Sequence, residues 1–117
     1  MNKIELENRL IEFTVWVNEC VLSLENHLTI NHLKEQVIRS STACTLNYAE
    51  AISAESRKDF IHKLGIVIKE LRETKANLRI MMRFSTKSDE ELSKLINESD
   101  ELLAIFHKTI VTAKKNS

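Results

Sequence analysis

Apolar residues recur at alternating spacings of three and four positions along four stretches of this chain. Such spacing places them on one face of an α-helix that packs at a shallow angle against its neighbours in a bundle. The pattern predicts helices from Lys3 to Glu25, from the NHLTIN segment to Ile52, from Arg57 to Phe84, and from Ser88 to Lys115. The expected core positions, helix by helix, are Leu6, Leu10, Phe13, Val17, Cys20 and Leu24; Leu33, Val37, Cys44, Tyr48 and Ile52; Phe60, Leu64, Val67, Leu71, Thr74, Leu78 and Met81; and Leu92, Ile96, Ser99, Leu103, Phe106, Ile110 and Ala113.

Residues with short polar side chains indicate where three of these helices begin. Thr29 or Asn31 is expected to cap the second helix, and Ser56, with Asp59 three positions later, the third. Ser88 opens a capping box for the fourth helix, and acidic residues follow it where the helix dipole favours them. Four helices of similar length joined by short polar turns predict one domain over residues 1–117, an all-α, antiparallel up-down-up-down four-helix bundle.

The composition agrees with a compact helical domain. The 117 residues include one glycine and no proline, so little interrupts a helix. Uninterrupted apolar runs stay far below the roughly 20 residues of a membrane span. The N-terminal MNKIELENRL carries acidic residues where a signal peptide needs basic and then apolar ones. We therefore expect a cytoplasmic protein that does not enter a membrane.

The apolar pattern bears on two further questions, the pairing of the two cysteines and the environment of the tryptophan. Cys20 and Cys44 would lie about 12 Å apart along the bundle if the chain reverses near Leu28, which is too far for a disulfide, so two buried free thiols are expected. Trp16 lies off the apolar face of the first helix. It either flanks the core or contacts another subunit, since tryptophan is enriched at interface centres.

Polar side chains occur in the second and third helices where an amphipathic helix should be apolar. Arg39, Asn47 and Glu50 share one face of the second helix, and a reversal of the chain sets Arg39 level with Lys69 and Glu70. The other expected matches are Gln36 with Arg72 and Glu73, and Glu50 with Arg57 and Lys58. The sequence thus predicts a structural polar network with these members: Gln36, Arg39, Asn47, Glu50, Glu70 and Glu73.

A net charge of zero hides a basic third helix, because residues 53–87 carry nine basic and four acidic side chains. Its basic stripe consists of Lys69, Arg72, Lys75, Arg79 and Arg83. The stripe would either contact phosphates or an acidic partner, or pair within the chain. We favour internal pairing, in which Arg72 lies level with Asp100 and Glu101, Lys75 near Glu98, and Arg83 near Asp89.

Catalytic and metal-binding patterns are not supported. Di-iron bundle proteins need two Glu-x-x-His elements, whereas this chain has none and one Asp59-x-x-His62. Gly65 is alone, so there is no glycine-rich phosphate loop. The residue expected level with Cys44 is Leu64 rather than an activating histidine. The sequence therefore predicts no catalytic residue, cofactor or metal ligand.

Several segments at fixed separation carry a resemblance to a known family. They are Gln36, Arg39, Asn47 and Glu50, followed by SRKDFIHKL at 56–64 and KELRET at 69–74. In these segments the chain resembles the bacterial four-helix-bundle proteins named after the 23S rRNA intervening sequence, over roughly 10–110. Ala43 stands where the family commonly has serine and Ala51 where it often has glycine, and both changes suit a continuous helix.

The resemblance implies a small antiparallel bundle that forms ring-like homo-oligomers, often pentamers, without an established enzymatic activity. A related branch, the accessory proteins of diversity-generating retroelements, resembles basic rings that bind nucleic acid and a reverse transcriptase. This chain lacks that strong basicity. The leading hypothesis is accordingly a non-catalytic homo-oligomeric scaffold, and the alternative is a nucleic-acid-binding accessory protein that uses the basic stripe.

Overall fold

The computed structural model describes residues 1–85 and 90–116 and folds them into four long helices. These are α1 (Lys3–Leu22), α2 (Leu28–Ile52), α3 (Arg57–Phe84) and α4 (Glu90–Lys115). Each helix packs beside its neighbours in the chain, most extensively α2 against α3, and α1 closes the ring against α4. The result is the predicted all-α up-down-up-down bundle, with extents of 48 × 20 × 19 Å.

Side chains cap the helix starts as their residue types favour. Asn2 accepts a hydrogen bond from the Glu5 amide at 2.8 Å at the start of α1. Ser56 caps α3 as predicted, accepting from the Asp59 amide at 3.1 Å. The expected cap of α4, Ser88, lies outside the described residues.

The boundary between α1 and α2 differs from the prediction. The first helix ends at Leu22, three residues earlier than expected, although Leu24 beyond it is still buried. The second helix begins at Leu28, and its cap is His27 rather than Thr29 or Asn31. The His27 ring accepts a weak hydrogen bond from the Ile30 amide at 3.4 Å. Histidine lies outside the usual set of capping residues, so residue preference pointed further along the chain.

The core contains the predicted apolar faces of α1 and α3. On α4 the predicted positions Ile96 and Leu103 lie at the edge of the core, whereas Leu95 and Leu102 are fully buried. Both members of each pair are apolar, so spacing alone could not choose between them. At the centre, the buried rings of Tyr48 and Phe106 meet edge to face, with centroids 5.2 Å apart and planes at 78°.

Both cysteines are buried free thiols, as predicted. Burial raises the pKa of the Cys44 thiol to about 12, which keeps it in the unreactive protonated form. No described helix is long and apolar enough to cross a membrane.

Candidate functional site

Arg39 joins α2 to α3 through two carboxylates. Its Nη1 donates to Glu70 at 2.9 Å and its Nη2 donates to Glu73. Glu70 is buried, with 6% of its surface exposed, whereas the Arg39 side chain is 55% exposed. The predicted Arg39–Glu70 pair is therefore present, but it lies at the bundle surface with only one of its charges enclosed. Such a pair can fix the register of two helices without the full cost of burying both charges.

Two hydroxyl groups continue this contact into the core. The oxygens of Ser40 and Thr74 lie 2.7 Å apart, and the Thr74 hydroxyl donates to the Glu70 carbonyl at 2.8 Å. Both residues are fully buried. The sequence prediction included Thr74 in the apolar face but omitted Ser40. The sequence did indicate that Ser40 is buried, because the spacing of Val37, Ser40 and Cys44 places Ser40 on the buried face of α2.

We expect Thr74→Val to lower the free energy of unfolding by about 1 kcal/mol, because it leaves the Ser40 hydroxyl with a poorer partner. That remaining partner is the Val37 carbonyl at 3.4 Å. Adding Ser40→Ala should recover part of the loss, since the unpaired hydroxyl is then removed as well. Urea denaturation of both single variants and the double variant checks this, and losses that simply add would contradict a Ser40–Thr74 bond.

The other predicted members do not join this network. Gln36 contacts the His32 ring at 3.1 Å on its own helix, not Glu73. The Asn47 amide donates to the Ala43 carbonyl, one turn earlier. Glu50 pairs with Lys63 at 3.2 Å, rather than with Arg57 or Lys58. The Ser53–Ser56 turn adds length between the helices, so Glu50 meets a residue about one turn further along α3 than level matching predicts.

The basic stripe of α3 pairs within the chain less than predicted. Lys75 binds Asp100 at 2.5 Å instead of Glu98. Arg72 contacts the His107 ring at 3.0 Å instead of Asp100 or Glu101. The predicted pairing of Arg83 involves Asp89, which lies outside the described residues.

The remaining cations of the stripe are exposed. Lys69, Arg79 and Arg83 have no carboxylate partner within residues 1–85 and 90–116. This row of side chains is the basic face of the molecule.

Two contacts that sequence reasoning missed join α1 to α4. Arg9 donates two hydrogen bonds to Glu98, of 2.7 and 2.8 Å. These hydrogen bonds raise the pKa of the Arg9 guanidinium. Trp16 lies at the edge of the core, and its indole Nε1 donates to Glu91 at 2.8 Å. The core-flank interpretation of Trp16 is thus the one that the structure shows. Neither contact follows from spacing, because α1 and α4 are far apart in sequence.

We expect the fluorescence of Trp16, the chain's one tryptophan, to change in acid with a midpoint below the ordinary glutamate pKa of 4.5. The indole hydrogen bond lowers the pKa of Glu91, so the interaction persists above that pKa and is lost as pH falls through it. Glu91→Gln should remove this step, while circular dichroism followed in parallel separates it from unfolding. An identical titration in the variant would contradict the assignment.

The outer face of α1 carries a second apolar row, which the sequence analysis did not identify. Ile4, Ile11, Val15 and Leu22 are spaced by seven, four and seven and are 69%, 41%, 46% and 77% exposed. Positions with this spacing lie in one line along a helix. We call these four residues the outer row of α1. The signal was present in the sequence, but the stronger repeat on the opposite face of the same helix obscured it.

The described residues offer little to catalysis. No group of three or more histidine, cysteine, aspartate or glutamate side chains among them could hold a metal ion. Asp59 and His62, the nearest approach to a di-iron motif, are both exposed. The candidate functional features of the described residues are the contact of Arg39 with Glu70 and Glu73 between α2 and α3, the basic face of α3, and the outer row of α1.

Comparison with known proteins places this bundle in a family. The family model for the 23S rRNA-intervening sequence protein matches residues 2–108. A solved structure from Bacteroides thetaiotaomicron, a protein with unknown function from the S23 ribosomal protein family, is similar at 30% identity and a TM-score of 0.84. The similarity covers 94% of this chain and 98% of that one. A search of the curated proteins gave no match. The chain belongs to the 23S rRNA-intervening sequence protein family.

Proposed function

We propose that this protein is a non-catalytic scaffold that works by associating with copies of itself. The observation that carries the proposal is the outer row of α1. Four large aliphatic side chains in line on a solvent-facing helix form a seam of the kind that helices use to pack together. Scattered exposed apolar residues are ordinary, whereas four large ones aligned on one face of a helix indicate an interaction surface.

The polar residues around the outer row favour association with a defined geometry. Asn8 and Asn18 occupy the remaining positions of the same repeat, between the aliphatic members. Polar residues within an apolar seam favour one register and one oligomeric state at some cost in stability. A zero net charge also means that identical copies do not repel one another strongly.

The non-catalytic part of the proposal rests on how the reactive side chains are used. Burial raises the pKa of both buried thiols, that of Cys44 to about 12, and Cys44 donates to the Ser40 carbonyl at 3.3 Å. Glu70, the one carboxylate buried among residues 1–85 and 90–116, is bound to Arg39. Among the described residues, neither Cys44 nor Glu70 stands beside a histidine that could activate it. The ring form and the pentamer remain predictions of the sequence resemblance, and a cytoplasmic location remains a prediction from the N-terminal sequence.

The basic face of α3 supports a second candidate function, binding of nucleic acid. Lys69, Arg79 and Arg83 are exposed and lack carboxylate partners in the described part of the chain. Oligomerisation would multiply these few cations into a surface able to bind phosphates. Arg72→Glu with Arg79→Glu should abolish such binding, and binding that survives this double change would exclude the basic face as the contact.

Light-scattering mass of the purified protein, with absorbance recorded at the nucleic-acid band, tests the proposal. Self-association predicts a mass well above the 13.5 kDa monomer that nuclease treatment leaves unchanged. A mass that falls to the monomer with nuclease would favour the nucleic-acid candidate instead. A monomer under both conditions and across a dilution series would overturn the scaffold proposal.

A further inference from the structure

We propose that the outer row of α1 in one copy packs against the basic face of α3 and its groove with α4 in the next copy. This inference rests on the proposed self-association and specifies its geometry. The two surfaces lie on different helices, so the contact is heterologous, joining unlike faces of identical chains. Three observations identify the second copy as the occupant: a receiving groove, complementary charge and a matching repeat.

The groove between α3 and α4 can receive an aliphatic row. It is a shallow, open depression of about 530 Å³, lined by Ala76, Arg79, Ile80, Met82, Arg83, Ser93 and Ile96. Ile80 is 43% exposed, and Ala76 and Ser93 beside it are small, so a helix can approach closely here. Side chains such as Val15 and Leu22 would fill this groove as knobs fill holes between neighbouring helices.

The charges that border the two surfaces are opposite. Glu12 and Glu19 follow the outer row along α1, are exposed, and have no ion-pair partner among the described residues. Arg79 and Arg83 border the groove on α3 in the same unpaired state. Each surface thus carries the charge that the other lacks, which selects correct partners and steers their approach.

The two surfaces also repeat at the same interval. Glu12 and Glu19 are seven residues apart, as are Arg72 and Arg79, and seven residues advance about 10.5 Å along a helix. Acidic and basic side chains can therefore meet at every second turn of the two helices while the aliphatic row stays in the groove. Charged residues that flank an apolar seam at heptad spacing set partner choice and orientation in helical interfaces.

A heterologous contact has a structural consequence that a two-fold contact lacks. Each copy uses both surfaces, so assembly continues until the rotation between copies closes a ring or extends a filament. Changing either surface alone breaks every contact in the assembly. Changing both in a complementary way restores every contact.

Charge reversal tests this arrangement, because the substituted residues are exposed. The acidic-surface variant carries Glu12→Lys and Glu19→Lys, and the basic-surface variant carries Arg79→Glu and Arg83→Glu. Each should fall from the wild-type mass to the 13.5 kDa monomer in light scattering, with unchanged helical circular dichroism. The chain with all four changes should regain an assembly. Mixing the two double variants should also produce one, which shows in the same tube that both are folded.

A matched control reverses two exposed acids away from both surfaces, Glu35→Lys with Glu55→Lys, and should keep the wild-type mass. If both double variants keep it as well, the inferred interface is wrong while self-association stands. Failure of both the fourfold variant and the mixture to assemble would also overturn the inference. A basic-surface variant that loses mass together with nucleic-acid absorbance, beside an intact acidic-surface variant, would show that nucleic acid joins the copies. A monomeric wild type would instead remove the proposed function itself.

Discussion

Replacing Phe106 with alanine is expected to lower the free energy of unfolding by about 3–5 kcal/mol, the largest effect of any single change considered for this protein. Phe106 is fully buried on α4, and its ring meets the edge of Tyr48 on α2 across the centre of the bundle. Truncation removes a large apolar surface and the aromatic contact, and leaves a cavity that rigid helices close only in part. Urea denaturation at a fixed protein concentration measures the loss.

The control for this change is Val111→Ala on the same helix. Val111 is 55% exposed, so its truncation should alter stability by less than about 0.5 kcal/mol. Similar losses for the two variants would mean that α4 does not turn Phe106 into the core. The packing of α4 against α2 and α3 would then need revision.

Glu70→Ala is expected to lower the free energy of unfolding by about 2 kcal/mol, the second largest effect. The substitution removes the enclosed acceptor of Arg39 and leaves a gap beside the Ser40–Thr74 pair. The loss stays moderate because Arg39 is largely exposed and retains Glu73. Thermal and urea unfolding should both report it, and Arg39→Ala should cost a similar amount, because it leaves the enclosed Glu70 carboxylate without its guanidinium partner.

Glu35→Ala is the appropriate control for Glu70→Ala, because Glu35 is exposed on α2 and lies away from both proposed contact surfaces. An exposed glutamate on α4 such as Glu91 would be a poor one, because Glu91 accepts the indole hydrogen bond of Trp16. Glu35 has no ion-pair partner in the part of the chain that the structure describes. Equal effects of the two substitutions on a monomeric sample would show that the enclosed position of Glu70 contributes nothing to the fold.

The architecture was predictable because the apolar repeats are long and uninterrupted. On α3 a spacing of four and three persists from Phe60 to Met81, and six of those seven positions are buried. The same apolar spacing predicted the residues at which helices end less accurately. Leu24 stays buried after α1 has ended, so burial and helix do not stop at the same residue.

Partner choice across the bundle was predictable only where the helices lie level. Matching residues at equal heights on antiparallel helices predicted the Arg39–Glu70 pair correctly. It failed for Lys75, which binds Asp100, and for Arg72, which contacts His107, because height says nothing about rotation or axial offset. Long side chains then select the acceptor within reach. Height matching between consecutive helices could not predict the Arg9–Glu98 bond, because it joins the first helix to the last.

The outer row of α1 shows a different reason for a missed feature. A helix with an apolar face is normally assigned one such face, and the core face of α1 satisfied that expectation. Ile11 and Val15 fell between core positions and looked incidental. Their alignment with Ile4 and Leu22 emerges only when the exposed residues are compared among themselves.

Native mass spectrometry of the wild-type protein shows directly whether it associates with itself without another component. Self-association predicts assemblies whose masses are whole-number multiples of 13.5 kDa with no added mass. These assemblies should persist after nuclease treatment and separate into monomers when the solution is made strongly denaturing. A spectrum that holds only the 13.5 kDa monomer, or assemblies whose extra mass disappears with nuclease, would contradict the account.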